Sequence, residues 1–417
     1  MPRADVVVIG AGLAGLSCAA ELAEAGASVF VAAKGLATTH WTHGGLDVAA
    51  PAAARTSRDG IARLARTDGH PYSRLARDAD AAVSRHLVRV GAAGLDHAGS
   101  LATALAPFPT AIGALRRAAI VPLAQAAALE PWRVTGLVLV GIRGFPDAWP
   151  EYAARNLENA AWPDGPSGIR AVEVAVPGVE RLRNVGSQDL ARLFDDPAWR
   201  GRALAAIAAA LPPGDWRVGM PAVLGVEHHA AAHADAEAAF GRRVFEVPSL
   251  PPSVPGMRLF DALRRRILAS AGRVQIGFDV VSVEREGRHV IAIHTEAASR
   301  TLRLAANAFV LATGGIAGAG IRALPDGGLV ERVFGLPVVG PEQASWFSDD
   351  PLMPHPLEAA GIEVDEQLAP AGLENVRVIG SALAGMRYLD ERCGDGVALA
   401  SAHRAARSLG APRAVAA

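Results

Sequence analysis

The chain opens with the pattern of a buried strand followed by that of a helix. Its first run, DVVVIG, is continuously apolar and rich in β-branched residues, which is typical of a parallel strand covered on both faces. Apolar residues then recur at helical spacing as far as Gly26, where a helix is expected to stop, and residues 28–32 form a second apolar run. The pattern predicts a βαβ unit at the amino terminus.

Three changes of pattern divide the remaining chain. Residues 51–131 show helical spacing with few strand signals, which predicts a mostly helical segment. In residues 132–250 short apolar runs alternate with helical segments, which predicts an inserted, smaller α/β lobe. Residues 251–417 return to buried strands that end in glycines, and they are expected to complete the domain that residues 1–50 begin. The predicted fold class is α/β, a Rossmann-like doubly wound sheet with an inserted lobe.

Composition and charge exclude several classes of function. The chain has 41 Lys and Arg against 42 Asp and Glu, so its net charge of -1 gives no general attraction to nucleic acid. Two cysteines, Cys18 and Cys393, are too few for a four-cysteine zinc or iron–sulfur site. The apolar run of residues 6–20 is too short to span about 30 Å of hydrocarbon. We therefore expect a cytoplasmic protein without a metal, a nucleic-acid partner or a direct membrane span.

The first glycine motif is the strongest candidate binding site. Gly10, Gly12 and Gly15 form GxGxxG between the first predicted strand and helix. In this position Gly10 permits the tight turn, Gly12 lets the backbone approach a phosphate, and Gly15 lets the helix pack close to the strand. The helix amino terminus supplies N–H groups for that phosphate. The motif predicts an FAD/NAD(P)-binding type of fold holding a dinucleotide or a flavin, and the alternative is a purely structural glycine turn.

Lys34 occupies the place where dinucleotide-binding folds usually carry a carboxylate for the adenosine ribose. That carboxylate normally follows the motif by roughly 20 residues, at the end of the second strand. The ammonium group of a lysine at this position either contacts a phosphate or is exposed to solvent at the end of the strand. The departure argues against standard NAD binding, and Lys34 is retained as a candidate cofactor contact.

Glycines recur where two later strands end. Thr313, Gly314 and Gly315 close the buried run AFVLATGG, at the point where a strand of a doubly wound sheet reaches its cofactor. Gly380 repeats the strand-to-glycine pattern in NVRVIGSALAG. These residues are candidate cofactor contacts, and an ordinary exit from strand to turn is the alternative.

The last predicted helix begins with Gly394, Asp395 and Gly396. Its first N–H groups are expected to stabilise negative charge on a reduced flavin. A helix capped by the Asp395 side chain explains the same residues without a ligand.

Distant segments together resemble a known family. The glycine motif, the ATGG strand and the final GDGVA helix are similar to the flavoprotein branch of fumarate reductases and succinate dehydrogenases. A narrower resemblance, to the B subunits of anaerobic glycerol-3-phosphate dehydrogenases, spans nearly the whole chain. It is carried by GLAGL at residues 12–16, GGLD at 44–47, HPYS at 70–73, LPPSVPGMRL at 250–259 and GSALAG at 380–385.

The resemblance implies a peripheral membrane redox complex of several different chains. This chain would be the flavin-bearing B subunit, with FMN as its cofactor and FAD possible. A catalytic, FAD-containing A subunit would be its partner. The C subunit, with iron–sulfur centres, would attach the complex to the inner face of the cell membrane and deliver electrons to quinone. The expected reaction of this anaerobic respiratory complex in glycerol metabolism is oxidation of glycerol 3-phosphate to dihydroxyacetone phosphate.

Two residues are candidate catalytic groups. His43 precedes Gly44 and Gly45 in a loop at a distance from the second strand that suits a cover over the flavin ring, so it is a candidate proton donor. Gly44 and Gly45 are candidate cofactor contacts. Arg258, in the family-matching PGMRL, is a candidate for binding an anionic group bidentately. The alternatives are a structural loop histidine, and an arginine that caps a helix or pairs with a carboxylate.

Two other functions remain open at this point. In the first alternative, the chain is a stand-alone flavin oxidoreductase that acts on another small substrate. In the second, it is a non-catalytic scaffold that keeps the cofactor fold and binds the catalytic chain. Flavin absorption by the purified chain separates the scaffold from the other two. Turnover that depends on the catalytic partner separates a member of the complex from the stand-alone enzyme.

Overall fold

The computed structural model describes residues 3–179, 181, 184–297 and 300–410. They divide into two compact units. Unit 1 holds the described residues of Met1–Thr39, Asp47–Ala93 and Phe260–Ala417, and unit 2 holds those of His40–Leu46 and Gly94–Leu259. Each unit contains a parallel sheet of its own.

The strands and helices are numbered in chain order. The strands are β1 (Ala4–Ile9), β2 (Val29–Ala33), β3 (His97–Ala98), β4 (Ala106–Pro109), β5 (Leu115–Ala118), β6 (Val121–Pro122), β7 (Gly136–Ile142), β8 (Ile169–Val174), β9 (Trp216–Pro221), β10 (Val244–Val247), β11 (Arg273–Ile276), β12 (Asp279–Glu286), β13 (His289–Ala297), β14 (Arg300–Leu311), β15 (Ile321–Ala323), β16 (Leu329–Glu331) and β17 (Val376–Val378). The α-helices are α1 (Leu13–Glu24), α2 (Ser57–Leu64), α3 (Tyr72–Gly91), α4 (Pro150–Asn159), α5 (Ser187–Asp195), α6 (Pro197–Ala210), α7 (His229–Phe240), α8 (Val254–Ala269), α9 (Tyr388–Glu391) and α10 (Gly394–Gly410). The 3₁₀ helices are Thr38–Trp41, Leu123–Leu129, Gln343–Ser345, Pro356–Ala359 and Gly380–Ala382.

The sheet of unit 1 is built around β1. β2 and β14 flank β1 in parallel, with Val7 opposite Phe30 and Phe309. β11 pairs in parallel with β2, and β17 pairs in parallel with the end of β14. The predicted first strand is confirmed, and its residues 6–9 are buried, as a strand covered on both faces requires.

The other half of β14 belongs to an antiparallel layer. β12 and β13 form a hairpin in which Glu286 lies opposite His289, and β13 pairs antiparallel with the first residues of β14. Two sequence runs that alternate apolar and polar residues on either side of Glu286 and Gly287 predict this hairpin. The long strand β14 therefore joins a parallel, buried region to an antiparallel one.

Helices α1, α3 and α10 pack together in unit 1. α1 is rich in Ala, Gly and Ser, which lets its neighbours approach closely, and ten of its residues are buried. The polar groups at this junction are paired: His403 of α10 lies 2.6 Å from Glu21, and Arg89 of α3 lies 3.0 Å from Glu24. Small side chains thus supply the packing, and the buried polar side chains pair with one another across the helices.

Unit 2 has a parallel sheet in the order β10-β9-β7-β8. Every residue of the central strand β7 is buried. Two apolar clusters pack on this sheet: one includes Phe194, Trp199 and Met220, and the other includes Trp132 and Phe245. The alternating apolar runs and helices of residues 132–250 correspond to these strands and to α4 to α7.

The unit boundaries differ from those expected from sequence. The predicted helical segment, residues 51–131, contains α2 and α3 but continues into the short strands β3 to β6, and Gly94 already lies in unit 2. These strands are two to four residues long, too short for an alternating pattern to develop. Unit 2 also extends to Leu259 and includes His40–Leu46, which the inserted-lobe prediction of residues 132–250 omits.

Among the described residues, no helix has both the length and the apolar character that crossing a membrane demands.

Candidate functional site

Gly10 and Gly15 are fixed by tight packing within unit 1. Gly10 follows β1 with φ of +115°, and a Cβ atom there would lie 2.2 Å from the carbonyl oxygen of Ala312. A Cβ atom on Gly15 would lie 2.1 Å from the carbonyl oxygen of Gly10. Both glycines therefore let β1, α1 and the end of β14 approach one another, whether or not a ligand binds.

Close packing does not require a glycine at position 12. Its backbone is extended, with φ of -77°, and the nearest atom to an added Cβ is Ala37 Cβ at 3.4 Å, an ordinary contact. Gly12 is also the N-cap of α1, and no side chain caps that helix. The missing side chain leaves open space beside uncapped helix N–H groups, which fits a phosphate group.

The Thr313 loop lies next to the first glycine loop. β14 ends beside β1, where the N–H of Ala312 donates to the carbonyl of Ile9 at 2.9 Å. The Oγ1 atom of Thr313 is buried and has no hydrogen-bond partner among the described residues. A buried hydroxyl without a partner costs free energy, so this atom fits a site completed by a bound group.

Gly314, Gly315 and Gly380 join the same region. The N–H of Gly315 donates to Ser381 Oγ at 3.2 Å, and an added Cβ on Gly315 would lie 2.5 Å from the Ser381 carbonyl. Gly380 has φ of +68°, and a Cβ atom there would lie 2.8 Å from the Cβ atom of Ala14 in α1. Gly314 also has a positive φ, of +82°. The fold thus brings three of the predicted glycine loops together around the start of α1.

Lys34 is paired with a carboxylate that the sequence did not predict. Its Nζ atom lies 2.7 Å from Oδ2 of Asp279, the first residue of β12. The sequence has Lys34 where a carboxylate is usual, and the fold brings the carboxylate of Asp279 beside it from a strand 245 residues away. Lys34 itself is exposed, and its role as a cofactor contact stays a prediction.

The start of α10 is occupied by the protein itself. The N–H groups of Asp395 and Gly396 donate to the carbonyl of Asp47, at 3.0 and 3.2 Å. The Asp395 side chain accepts the N–H of Asp47 at 2.8 Å. These two N–H groups are thus engaged, contrary to the prediction that they stabilise a reduced flavin. Gly396 has a packing reason, because a Cβ atom there would lie 2.0 Å from the Tyr72 hydroxyl. Gly394 has room for a side chain, with Tyr388 Cβ at 3.7 Å.

The His43 loop belongs to unit 2, as does Arg258, so these candidates lie in a different unit from the glycine loops. Nδ1 of His43 accepts the N–H of Gly45 at 3.0 Å, which places the proton of the neutral ring on Nε2. The Gln125 amide donates to the His43 carbonyl at 2.7 Å, and Gly44 has φ of +94°. The loop is therefore ordered with Nε2–H as its donor, which is the state that a proton donor needs.

Arg258 forms a buried ion pair. Its Nη1 and Nη2 atoms lie 2.6 and 2.9 Å from the carboxylate oxygens of Glu246, and its Nε and Nη2 atoms donate to the Gly225 carbonyl at 2.8 and 2.6 Å. Arg258 is 3% exposed and Glu246 0%. Four hydrogen bonds to protein groups contradict the catalytic prediction for Arg258 and match the alternative, a pair with a carboxylate.

The electrostatics of this pair are strongly coupled. Burial raises the pKa of Glu246, but the charge and hydrogen bonds of Arg258 outweigh burial and hold the pKa below its usual value. His229 lies in the same environment. Burial, with a smaller contribution from the charge of Arg258, lowers the pKa of His229 to about 4.

Three side-chain atoms of the kinds that bind metals, one each from His70, Glu391 and Cys393, lie close together in the interior of unit 1. One Glu391 oxygen lies 3.2 Å from His70 Nε2 and 3.6 Å from Cys393 Sγ. His70 Nδ1 accepts the N–H of Tyr72 at 3.0 Å, so Nε2 carries the ring proton. Burial and the Glu391 charge raise the pKa of Cys393 well above its usual value. A metal-bound imidazole normally donates through its other nitrogen, so this geometry suits hydrogen bonds better than a metal.

Unit 1 also contains a cavity of about 420 Å³. Its walls are mostly apolar, with the donors Arg74, His355 and Arg387 among them. A cavity of this size with few polar groups suits a small molecule with an apolar body. Sequence patterns do not reveal it, because its walls come from segments more than 300 residues apart and no single segment carries a signal.

Comparisons with known proteins place the chain in a family. Residues 5–397 match the sequence profile described as FAD binding domain. A probable anaerobic glycerol-3-phosphate dehydrogenase B subunit from Halobacterium salinarum is 31% identical, with 97% of each chain covered. The B subunit from Pectobacterium atrosepticum is 32% identical, with 98% of each chain covered. The chain belongs to the FAD-binding family of flavoproteins. Within that family, it belongs to the B subunits of anaerobic glycerol-3-phosphate dehydrogenases.

Solved structures are more distant. Mycobacterium smegmatis Sdh1 in complex with UQ1 is 13% identical with a TM-score of 0.43, and 98% of this chain and 68% of that chain are covered. An E. coli quinol fumarate reductase chain is 10% identical with a TM-score of 0.42, with 98% and 70% covered. The family match supports a flavin cofactor, and the predicted fold class and family are confirmed.

Proposed function

We propose that this chain is the flavin-carrying B subunit of an anaerobic glycerol-3-phosphate dehydrogenase complex. The complex oxidises glycerol 3-phosphate to dihydroxyacetone phosphate and passes the electrons to quinone. The observation that supports a bound cofactor most directly is Gly12, which lacks a side chain although the fold has room for one. Whole-length relatives that carry the name of this dehydrogenase support the reaction.

Groups at the start of α1 and after β14 would hold the flavin by its phosphate. The α1 N–H groups beside Gly12 would bind the phosphate, and Thr313 Oγ1 would gain the partner that it lacks. A bound flavin supplies the two-electron acceptor that side chains lack. His43, with its proton on Nε2, remains our candidate proton donor.

The identity of the flavin is a prediction with a direct test. The resemblance implies FMN, whereas the family description names FAD. Dinucleotide-binding folds usually bind the adenosine ribose with a carboxylate at the position of Lys34. Asp279 supplies a carboxylate beside Lys34, so this position does not argue against FAD. We keep FMN as the expected product when the cofactor is released by heat and separated chromatographically. Recovery of FAD alone contradicts this prediction and makes Asp279 the candidate residue for the ribose contact.

The partners are proposed from the names of the relatives. A relative named as one lettered subunit of an enzyme implies that the enzyme has others. We propose two partners, the catalytic A subunit, which contains FAD, and the iron–sulfur C subunit, which attaches the complex to the inner face of the cell membrane. The chain itself is proposed to be cytoplasmic, and the two cysteines in its sequence leave four-cysteine cluster chemistry to a partner.

A spectrum and a reconstitution test the proposed function. The purified chain should show flavin absorption that dithionite bleaches, and glycerol 3-phosphate should reduce a quinone analogue only after the catalytic and iron–sulfur partners are added. A colourless chain that still assembles with the catalytic partner supports the scaffold alternative. Turnover of another small substrate by the chain alone supports the stand-alone enzyme, and either result overturns the proposal.

A further inference from the structure

A loop of unit 1, residues 347–356, exposes large apolar side chains. In this apolar loop Leu352 is 91% exposed, Phe347 66% and Met353 55%. Single exposed apolar residues are common, but several in one short loop are typical of a contact surface.

The apolar loop is held in one conformation at its base. Trp346 and Leu357, which flank it, are both buried in one apolar cluster, and the N–H of Leu357 donates to the Trp346 carbonyl at 3.1 Å. Above them the N–H of Ser348 donates to His355 Nδ1 at 3.1 Å, and Ser348 Oγ donates to the Pro354 carbonyl at 2.7 Å. A loop with closed ends and internal bonds presents its tip with little loss of entropy on binding.

The charge of the apolar loop restricts what can bind it. It contains Asp349 and Asp350, both exposed, and no Lys or Arg. An anionic membrane surface would repel these carboxylates, because attachment to such a surface uses basic residues beside the apolar ones. A protein surface with an apolar pocket and a basic rim complements both the apolar tip and the carboxylates.

We propose that the apolar loop is the docking element for a partner protein of the complex whose surface has an apolar pocket bordered by Lys or Arg. This inference rests on the proposed function, because the names of the relatives imply that such a partner exists. Leu352 and Phe347 fill the pocket, and the two aspartates face the basic rim. Pro354 and His355 of the same loop also line the 420 Å³ cavity, so the partner binds beside that cavity.

The experiment is coexpression of the tagged chain with the catalytic and iron–sulfur partners, followed by affinity purification. Leu352→Asp and Phe347→Asp should each raise the dissociation constant for one partner by about tenfold or more, since truncating an anchor residue has effects of this size. Val88→Asp is the matched control, because Val88 is 74% exposed on α3, outside the apolar loop. Flavin content of the three variants should equal that of the wild type, and Tm should be unchanged in Leu352→Asp and Val88→Asp; Phe347→Asp also removes the contact between the Phe347 and His355 rings, whose centres are 5.5 Å apart.

Reversing the loop charge gives a second measurement. Asp349→Lys should lower the association rate at low salt, and the difference should shrink as salt is added; Asp350 is kept because its Oδ1 accepts the N–H of Leu352 at 2.9 Å. Equal affinity and equal rates for wild type and all loop variants overturn the docking proposal while the proposed function stands. Failure of the wild type itself to bind either partner overturns the proposed function instead. Flotation of the wild type, but not of Leu352→Asp, with vesicles of anionic phospholipid overturns the proposal in favour of a membrane contact.

Discussion

Replacing Gly12 with Val should remove the flavin and leave the fold intact. Gly12 has an ordinary extended backbone, and an added Cβ would meet only Ala37 Cβ, at 3.4 Å, so we expect the fold to accommodate a side chain. The side chain would then occupy the place that we assign to the phosphate. We expect flavin binding to weaken by at least about 1000-fold, roughly 4 kcal/mol, so that the purified variant carries little flavin. The unfolding free energy should fall by only about 1 kcal/mol, the usual cost of a poor N-cap residue.

Two other glycines give the controls. Gly201→Val, on α6 with no atom outside the neighbouring helix backbone within 4 Å of an added Cβ, should leave flavin content unchanged and should not lower Tm, because valine is a better helix former than glycine. Gly15→Ala should lower Tm with or without flavin, because its Cβ atom would clash with the Gly10 carbonyl. Stoichiometric flavin on purified Gly12→Val would contradict our placement of the phosphate.

The glycine unit can be predicted from sequence because its chemistry is local. β1, the Gly10–Gly15 loop, α1 and β2 follow one another within 33 residues, so strand pattern, turn and helix reinforce one prediction. Sequence does not separate the roles of the glycines. Gly10 packs against Ala312 and Gly15 against Gly10, whereas Gly12 meets no close neighbour in the fold, and only atomic positions reveal that difference.

Predictions that depend on distant partners are less accurate. The partner of Lys34 is Asp279 and that of Asp395 is Asp47, and each pair is separated by more than 200 residues. In both cases the residue type correctly indicates a charged or hydrogen-bonding group. It does not indicate which group is contacted, because the spacing of neighbouring residues carries no information about partners that are distant in the sequence.

Arg258 pairs with a carboxylate, as the alternative interpretation of the sequence allowed, and this buried pair has a larger effect on stability. Arg258→Met should destabilise unit 2 by about 3–5 kcal/mol, because it leaves the carboxylate of Glu246 buried without its cation. Chemical denaturation monitored by tryptophan fluorescence measures the loss. A catalytic Arg258 would instead lose turnover without this loss of stability.

The destabilisation should depend on pH in a defined direction. In the wild type the pKa of Glu246 is held low, so the pair contributes stability at neutral pH that is lost as pH falls through that pKa. In Arg258→Met the opposing effect of burial remains, and the pKa of Glu246 should rise above its unfolded value. The variant should therefore recover stability as the pH is lowered from 7 and the carboxyl takes up a proton. The difference from the wild type should shrink over that range.

A second substitution separates a structural role from a catalytic one. Adding Glu246→Gln removes the uncompensated charge and keeps an oxygen that accepts the Leu224 N–H, 2.9 Å away in the wild type. The double variant should thus be more stable than Arg258→Met alone, and the double-mutant cycle should give a large coupling energy. If Arg258 only holds Glu246, turnover of the reconstituted complex should return together with stability. Restored stability without restored turnover would show that Arg258 contacts the substrate after all, and would contradict the role that its four hydrogen bonds indicate.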